Sequence, residues 1–377
     1  MKKLSLHEPK FEGNELKYLQ NCIKSTWVST SGKYIDRFEK NISRFTKSKY
    51  AIALNSGTSA LHISLLIAGV RTNDEVIAPT LTFVAPINAI KYVNASPIFM
   101  DCDSHFNLDE KKTIEFIEKE TYLKNGFTRN KSTNKIIKAI IVVHVFGNAA
   151  NVFELFKLCK KRNIKIIEDA SESLGTFYKK NKKHTGTLGD IGCISFNGNK
   201  IITSGSGGMI LTNKINYSKK IRYLINQAKN DHLNFIHNEI GFNYGQTNLS
   251  AALGLAQFEN IKNILKKKEY IHNKYKNLFS NTKKANFIDC PNYANNNYWL
   301  NIVKVNKNFK NRIINLLIKN NILARPIWHL NHKQKKFKHC QSYKIKNALD
   351  LQNSCICLPS SYDLCDKELI KISSFLK

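Results

Sequence analysis

The feature that most constrains this chain is the run Ile137–Val143, apolar at every position except Lys138. It is too short for a buried helix, and its apolar residues fall on consecutive positions, so both of its faces must be covered. That is the pattern of a strand inside a parallel sheet. Further short strands are predicted at 50–54, 75–79, 98–101, 164–169, 192–196 and 210–212, with helical spacing in the segments between several of them, as in Leu61, Leu65 and Ala68. Parallel strands need crossover connections, and helices supply them. The expectation is therefore an α/β fold with a mostly parallel sheet and a crevice along its carboxyl edge.

At 377 residues the chain exceeds one small core. Two domains are expected: a large one over 1–260, and a small α+β one over 261–377 with strands at 299–305, 322–327 and 356–358. Asn14 reads as a cap for a first helix over 14–25, with Leu16, Leu19 and Ile23 on its apolar face. The polar stretch 118–135 carries Gly126, Asn130 and Ser132 and reads as a hairpin or surface insertion.

Chemistry collects at the strand ends. Asn55-Ser56-Gly57-Thr58-Ser59 turns a strand into a helix, which puts free amides and hydroxyls at the positive end of a helix dipole. Gly57, Thr58 and Ser59 are thus candidates for holding phosphate, although such residues also cap helices with no ligand present. Phe83 opens the helix after the next strand, where core packing is the ordinary alternative. Asp169 ends a buried strand, where a carboxylate is costly unless it meets a cation or several donors; capping a helix after Ala170 is the competing reading. The strand over 192–196 delivers Ser195 and then Lys200, in a run of small and amide residues that offers the lysine no ion partner. A lysine used as a covalent nucleophile wants such surroundings, whereas most lysines are simply exposed. Pyridoxal phosphate needs all of these groups at once: a phosphate cradle, an aromatic against its ring, an acid for the ring nitrogen and an amine for the aldehyde. The assignment gives Thr58, Ser59 and Ser195 to the phosphate, Phe83 to the ring face, Asp169 to the nitrogen and Lys200 to the aldehyde.

The balance of 59 Lys+Arg against 28 Asp+Glu, net +31, invites a nucleic-acid reading. The basic residues are spread along the chain, with only short runs such as Lys266-Lys267-Lys268, and form no basic helix with stacking aromatics. The field they create suits an anionic substrate. Nine cysteines without a CxxC pair fit free thiols in a reducing cytoplasm. Residues 1–9 lack an apolar run after their lysines, so no signal peptide is expected, and no window reaches the length of a membrane span.

The motifs resemble a known family. Lys200 in Ser-Phe-Asn-Gly-Asn-Lys with its downstream Gly-Gly, Asp169 in Ile-Glu-Asp-Ala-Ser-Glu, the Asn-Ser-Gly-Thr-Ser-Ala-Leu turn and Gly-Phe-Asn-Tyr look like the DegT/StrS nucleotide-sugar aminotransferases over essentially the whole chain. The resemblance implies a fold-type I pyridoxal phosphate enzyme that is homodimeric, with the active site between subunits and glutamate as amino donor to a nucleotide-linked keto-sugar. It also implies Gly57 in the cofactor site, Glu172 near the ring hydroxyl, Asn243 at the phosphate of the neighbouring subunit's cofactor, and Trp27, Ser29, Arg325, Trp328 and His332 towards the sugar. Leu6-His7-Glu8-Pro9, the insertion around 125–135, His144-Val145-Phe146-Gly147-Asn148 and Asn297-Tyr298-Trp299-Leu300-Asn301 look like the legionaminic-acid branch, with bacillosamine- and perosamine-type enzymes as near neighbours. The chain departs from the family in carrying Gly245-Gln246 after Asn-Tyr, where Arg-Met is usual, and in lacking a proline two residues before His332. Dehydratase relatives carry histidine in place of Lys200. A non-enzymatic regulatory or nucleic-acid-binding role is the reading from a different class, and it rests on charge alone.

Overall fold

The computed structural model describes residues 3–231 and 233–376. Its main sheet has eight strands in the order Tyr50–Leu54, Gly208–Thr212, Ile191–Ser195, Lys165–Asp169, Ile137–Val143, Glu75–Pro79, Ser96–Met100 and Ser342–Tyr343. Every neighbouring pair is parallel except the two made by Gly208–Thr212, which runs against both of its neighbours. The expected α/β class is what forms. Ile137–Val143 lies mid-sheet, with Ala139, Ile141 and Val143 in the core on one face and Ile140 and Val142 in the core on the other. Each isoleucine or valine among them contributes about 1.5–3 kcal/mol by leaving water, which is why this run holds the sheet's centre.

A second, four-stranded antiparallel sheet runs Ala285–Ile288, Asn301–Val305, Cys355–Leu358 and Arg325–Pro326. Its first strand lacks a clear signal in the sequence, because Ala285–Ile288 carries only two large apolar residues. The helix Asn248–Glu259 ends at Asn260 and Ile261–Phe279 begins at once, packing over a separate core with the second sheet. Two segments cross residue 260 in space: Leu4 bridges Ile322, and Ser342–Tyr343 pairs with Ser96–Met100 at the edge of the large sheet.

The hairpin forms between Thr121–Lys124 and Phe127–Asn130, turning at Asn125 and Gly126, both with positive φ. The first helix, Glu15–Lys24, is where periodicity misled. Leu16 and Ile23 are 70% and 65% exposed, while Glu15 and Cys22 are buried. Asn14 does not cap this helix with its side chain; its Nδ2 donates to Glu259 at 2.8 Å. The side packed on the Asn248–Glu259 helix is the one carrying Cys22, whose thiol lies beside Asn248.

Candidate active site

A cavity of about 590 Å³ opens at the carboxyl end of the large sheet and is closed from the other side by Arg325, Trp328 and Trp299. Gly57, Thr58, Phe83, Asp169, Glu172, Ser195 and Lys200 all line it.

The helix Gly57–Ile67 is capped by Ser56, whose Oγ accepts from the Ser59 amide at 3.0 Å and pairs with Ser59 Oγ at 2.8 Å. Ser59 is therefore engaged inside its own helix and is absent from the cavity wall, while the Gly57 and Thr58 amides are the open donors of the first turn. Glycine is required at 57 for proximity: a Cβ there would stand 2.9 Å from Ser195 Cβ, so the two chain segments meet as one cradle.

Asp169 is buried and accepts from the Ser171 amide at 3.0 Å. Burial raises its pKa, with Ser171 and the charge of Lys200 opposing. The residues after it form turns and no helix, so capping is not its role. Beneath it, Glu168 takes amides from Gly186, Leu188 and Gly189 at 3.0, 2.7 and 2.6 Å. His144 Nδ1 accepts from the Ala150 amide at 3.1 Å, so Nε2 carries the proton that reaches Glu168 at 3.0 Å. Burial works against ionisation of Glu168, but these donors outweigh it and hold its pKa below the ordinary value.

Lys200 corrects the expectation of a lysine without an ion partner. Its Nζ lies 3.4 Å from Glu172 Oε1 and 4.3 Å from the centre of the Trp299 ring. Glu172 Oε2 accepts from the Phe146 amide at 2.8 Å. Phe146 has a φ of +58°, unusual for a bulky residue, and its ring stacks on Trp328 at 4.6 Å. Phe83 is 54% exposed and 6.3 Å from Trp328, so it belongs to an aromatic wall of the cavity and not to the core.

Burial pushes the Glu172 carboxyl up to about 7, with Lys200 as the main opposing influence. Below its ordinary value of 4.5 the group is protonated folded and unfolded alike and contributes nothing. Between 4.5 and about 7 the unfolded chain has released the proton and the folded chain keeps it, so stability falls as pH rises. The deficit above that range is on the order of 3 kcal/mol. Glu172→Gln apoprotein is accordingly expected to unfold at a higher temperature than wild type at pH 8 and at the same temperature at pH 4. Equal melting temperatures at both pH values would refute this.

Several residues expected at the site lie off the cavity wall. His332 Nδ1 pairs with Thr80 Oγ1 at 2.6 Å, and its ring sits near Phe99. The carbonyls of Trp27 and Ser29 accept from Asn248 at 2.7 and 2.6 Å, away from the cavity. The Asn243 carbonyl accepts from Asn55 at 3.4 Å. Gln246 is buried, its Nε2 donating to Ser204 at 3.0 Å while its Oε1 has no partner among the described residues. Phe146, Ser171 and Trp299 were not singled out for this site. All three lie within the motifs that carry the family resemblance, but nothing local to those motifs marks them for this site.

The profile of the DegT/DnrJ/EryC1/StrS aminotransferase family matches residues 9–377. A GDP-perosamine synthase of Vibrio cholerae is 35% identical over 381 residues, spanning 99% of this chain and 98% of the relative. A UDP-4-amino-4,6-dideoxy-N-acetyl-beta-L-altrosamine transaminase of Campylobacter jejuni is 32% identical over 268 residues, 71% of this chain and 67% of the relative. Among solved structures, the Helicobacter pylori aminotransferase PseC superposes with a TM-score of 0.88 at 24% identity, covering 100% of this chain and 98% of that one. The pyridoxal phosphate form of the Streptococcus pneumoniae sugar aminotransferase Spr1654 gives 0.87 at 21%, covering 100% and 98%; both likenesses speak to the fold. The chain belongs to the DegT/DnrJ/EryC1/StrS aminotransferase family and is a pyridoxal phosphate-dependent aminotransferase.

Proposed function

We propose that this enzyme moves the amino group of glutamate to C4 of a nucleotide-linked 4-keto-6-deoxy N-acetylhexosamine, in the making of a legionaminic-type sugar for a bacterial surface glycan. The observation that carries the reading is the meeting of Lys200, Glu172 and Asp169 in one cavity with the Gly57–Ser195 cradle. The residues fit the cofactor: open amides at a helix start and a serine hydroxyl suit a phosphate, and a buried strand-end carboxylate without an ion pair among the described residues suits a ring nitrogen. When bound, pyridoxal phosphate supplies an aldehyde that exchanges amines and a ring that spreads negative charge.

In this reading Gly57, Thr58 and Ser195 bind the phosphate, with Ser59 shaping the turn. Phe83 would cover the ring and Glu172 would lie near its hydroxyl. Asp169 Oδ would keep the proton on the ring nitrogen, while Lys200 Nζ would move a proton from the donor's α carbon to the cofactor in one half-reaction and from the cofactor to the sugar's C4 in the other. Arg325 and Trp328 hold the sugar nucleotide on the opposite wall, and the aromatic wall keeps water out. Trp27, Ser29, Asn243 and His332 would act across or behind a homodimer interface, for which the exposed Ile23, Trp27, Leu233 and Ile240 offer apolar surface. We further assign 1–260 to a large domain and 261–377 to a small one, and the enzyme to the cytoplasm. All nine cysteines are free, and no helix among the described residues is long and apolar enough to cross a membrane.

A perosamine-type reaction on a GDP-linked sugar is the second reading, favoured by relatives named GDP-perosamine synthase that align over nearly the whole chain. A crossed assay of UDP- and GDP-linked 4-keto sugars with glutamate separates the two. Turnover of the UDP-linked N-acetyl sugar is expected; turnover of the GDP-linked sugar alone favours perosamine chemistry, and amination of neither defeats both.

A further inference from the structure

The segment Asn297–Trp299 reaches the cavity from the side of the second sheet, and it touches both members of the Lys200–Glu172 pair. Asn297 is fully buried and its Nδ2 donates to the carbonyls of Glu172 and Leu174 at 2.8 and 3.0 Å. Its Oδ1 accepts from the Trp299 amide at 3.1 Å. Tyr298 between them holds a φ of +53°, a left-handed conformation costly for a residue with a Cβ, which turns the chain so that the indole points at Lys200. The indole Nε1–H donates to the Asn199 carbonyl at 2.7 Å, one residue before Lys200, and the ring face lies 4.3 Å from Lys200 Nζ. From behind, Lys268 is buried and donates from Nζ to the Trp299 and Ser360 carbonyls at 2.6 and 2.5 Å. The third lysine of a basic run thus faces the interior as a strut.

We infer that Trp299 is the positioning residue for Lys200. Its ring face receives the ε-amino group whenever that group is free, and its ring N–H fixes the loop beside it, so the amine returns to one place in both half-reactions. An amine N–H over an indole face points at the negative side of the ring's quadrupole, and the ammonium is held there more strongly still where water is excluded, so the neutral amine that attacks starts from the same place. Lys200 and Trp299 lie apart in sequence, so no local contact could hold the amine this way.

The inference rests on the cofactor reading above, and the test separates the two. Two ligands are compared on apoprotein: pyridoxamine phosphate, which has no aldehyde, and pyridoxal phosphate, whose aldehyde condenses with the lysine amine with loss of one water and is then fixed by borohydride. The Lys200 peptide is quantified by mass spectrometry. Trp299→Leu is expected to bind pyridoxamine phosphate as wild type does, while fixation on Lys200 slows roughly tenfold to thirtyfold because the attacking amine loses its orientation, an effect larger than any gain in its neutral form. Trp299→Phe, which keeps a ring face and loses only the N–H, is expected to recover most of that rate. Equal fixation rates in Trp299→Leu and wild type overturn the inference, as does loss of pyridoxamine phosphate binding in both variants, which would make Trp299 a wall of the pocket only. Absence of fixation in wild type overturns the cofactor reading itself.

Discussion

Lys200→Ala is expected to abolish transamination, lowering kcat by about 10⁴-fold or more, because one amine both captures the cofactor aldehyde and carries the proton in each half-reaction. The protein should also lose the visible absorbance of the bound cofactor that borohydride bleaches. The fold should survive: Lys200 is on a loop, and its ammonium makes one long contact to Glu172, 3.4 Å, and one ring contact. Spectra of wild type and variant after addition of pyridoxal phosphate, with single-turnover assays using glutamate, check this. A variant retaining more than a few per cent of wild-type turnover would remove Lys200 from the centre of the chemistry.

Asp169→Asn is expected to cost about 10²–10³-fold in the glutamate half-reaction, since it removes a preorganised charge from the place where the ring nitrogen must keep its proton. The asparagine can still accept the Ser171 amide, so the turn after the strand is preserved and the loss is chemical. Cofactor affinity should fall far less than the rate. Stopped-flow traces of the half-reaction, compared with equilibrium binding of pyridoxal phosphate, separate the two quantities. If affinity collapses and the rate per bound cofactor stays normal, Asp169 is a binding residue and not the guardian of the proton.

The parts of this site that the sequence makes legible are those whose geometry is local. The turn at Gly57 joins a strand to a helix within a few residues, and Asp169 is placed by the strand it ends. A buried β-run announces itself by composition, so the α/β class and the crevice could be read directly. The Lys200–Glu172 contact could not: it depends on the turns after Asp169 folding back over a loop 28 residues further on. Trp299 is a hundred residues from the Asn199 carbonyl it holds and arrives on the segment that leads into a strand of the other sheet, so no spacing rule reaches it. The first helix failed for a different reason. Helical period identifies an apolar stripe but not what covers it, and within one chain Leu16 and Ile23 face outward.

The reversed strand Gly208–Thr212 has a consequence for how the molecule assembles. Because it runs back along Ile191–Ser195, with Ser195 opposite Gly208, the lysine-bearing loop is closed by the two strands that flank it. Bringing those ends together spans only about a dozen residues and costs little chain entropy, whereas each parallel pairing must wait for an intervening crossover. The reactive turn is therefore expected to take shape early in folding, ahead of the sheet's centre and well ahead of the indole that later steadies its amine. Pulse-labelled hydrogen exchange during refolding would show amides of residues 192–211 protected before those of Ile137–Val143; the opposite order would mean that the central strands template the loop.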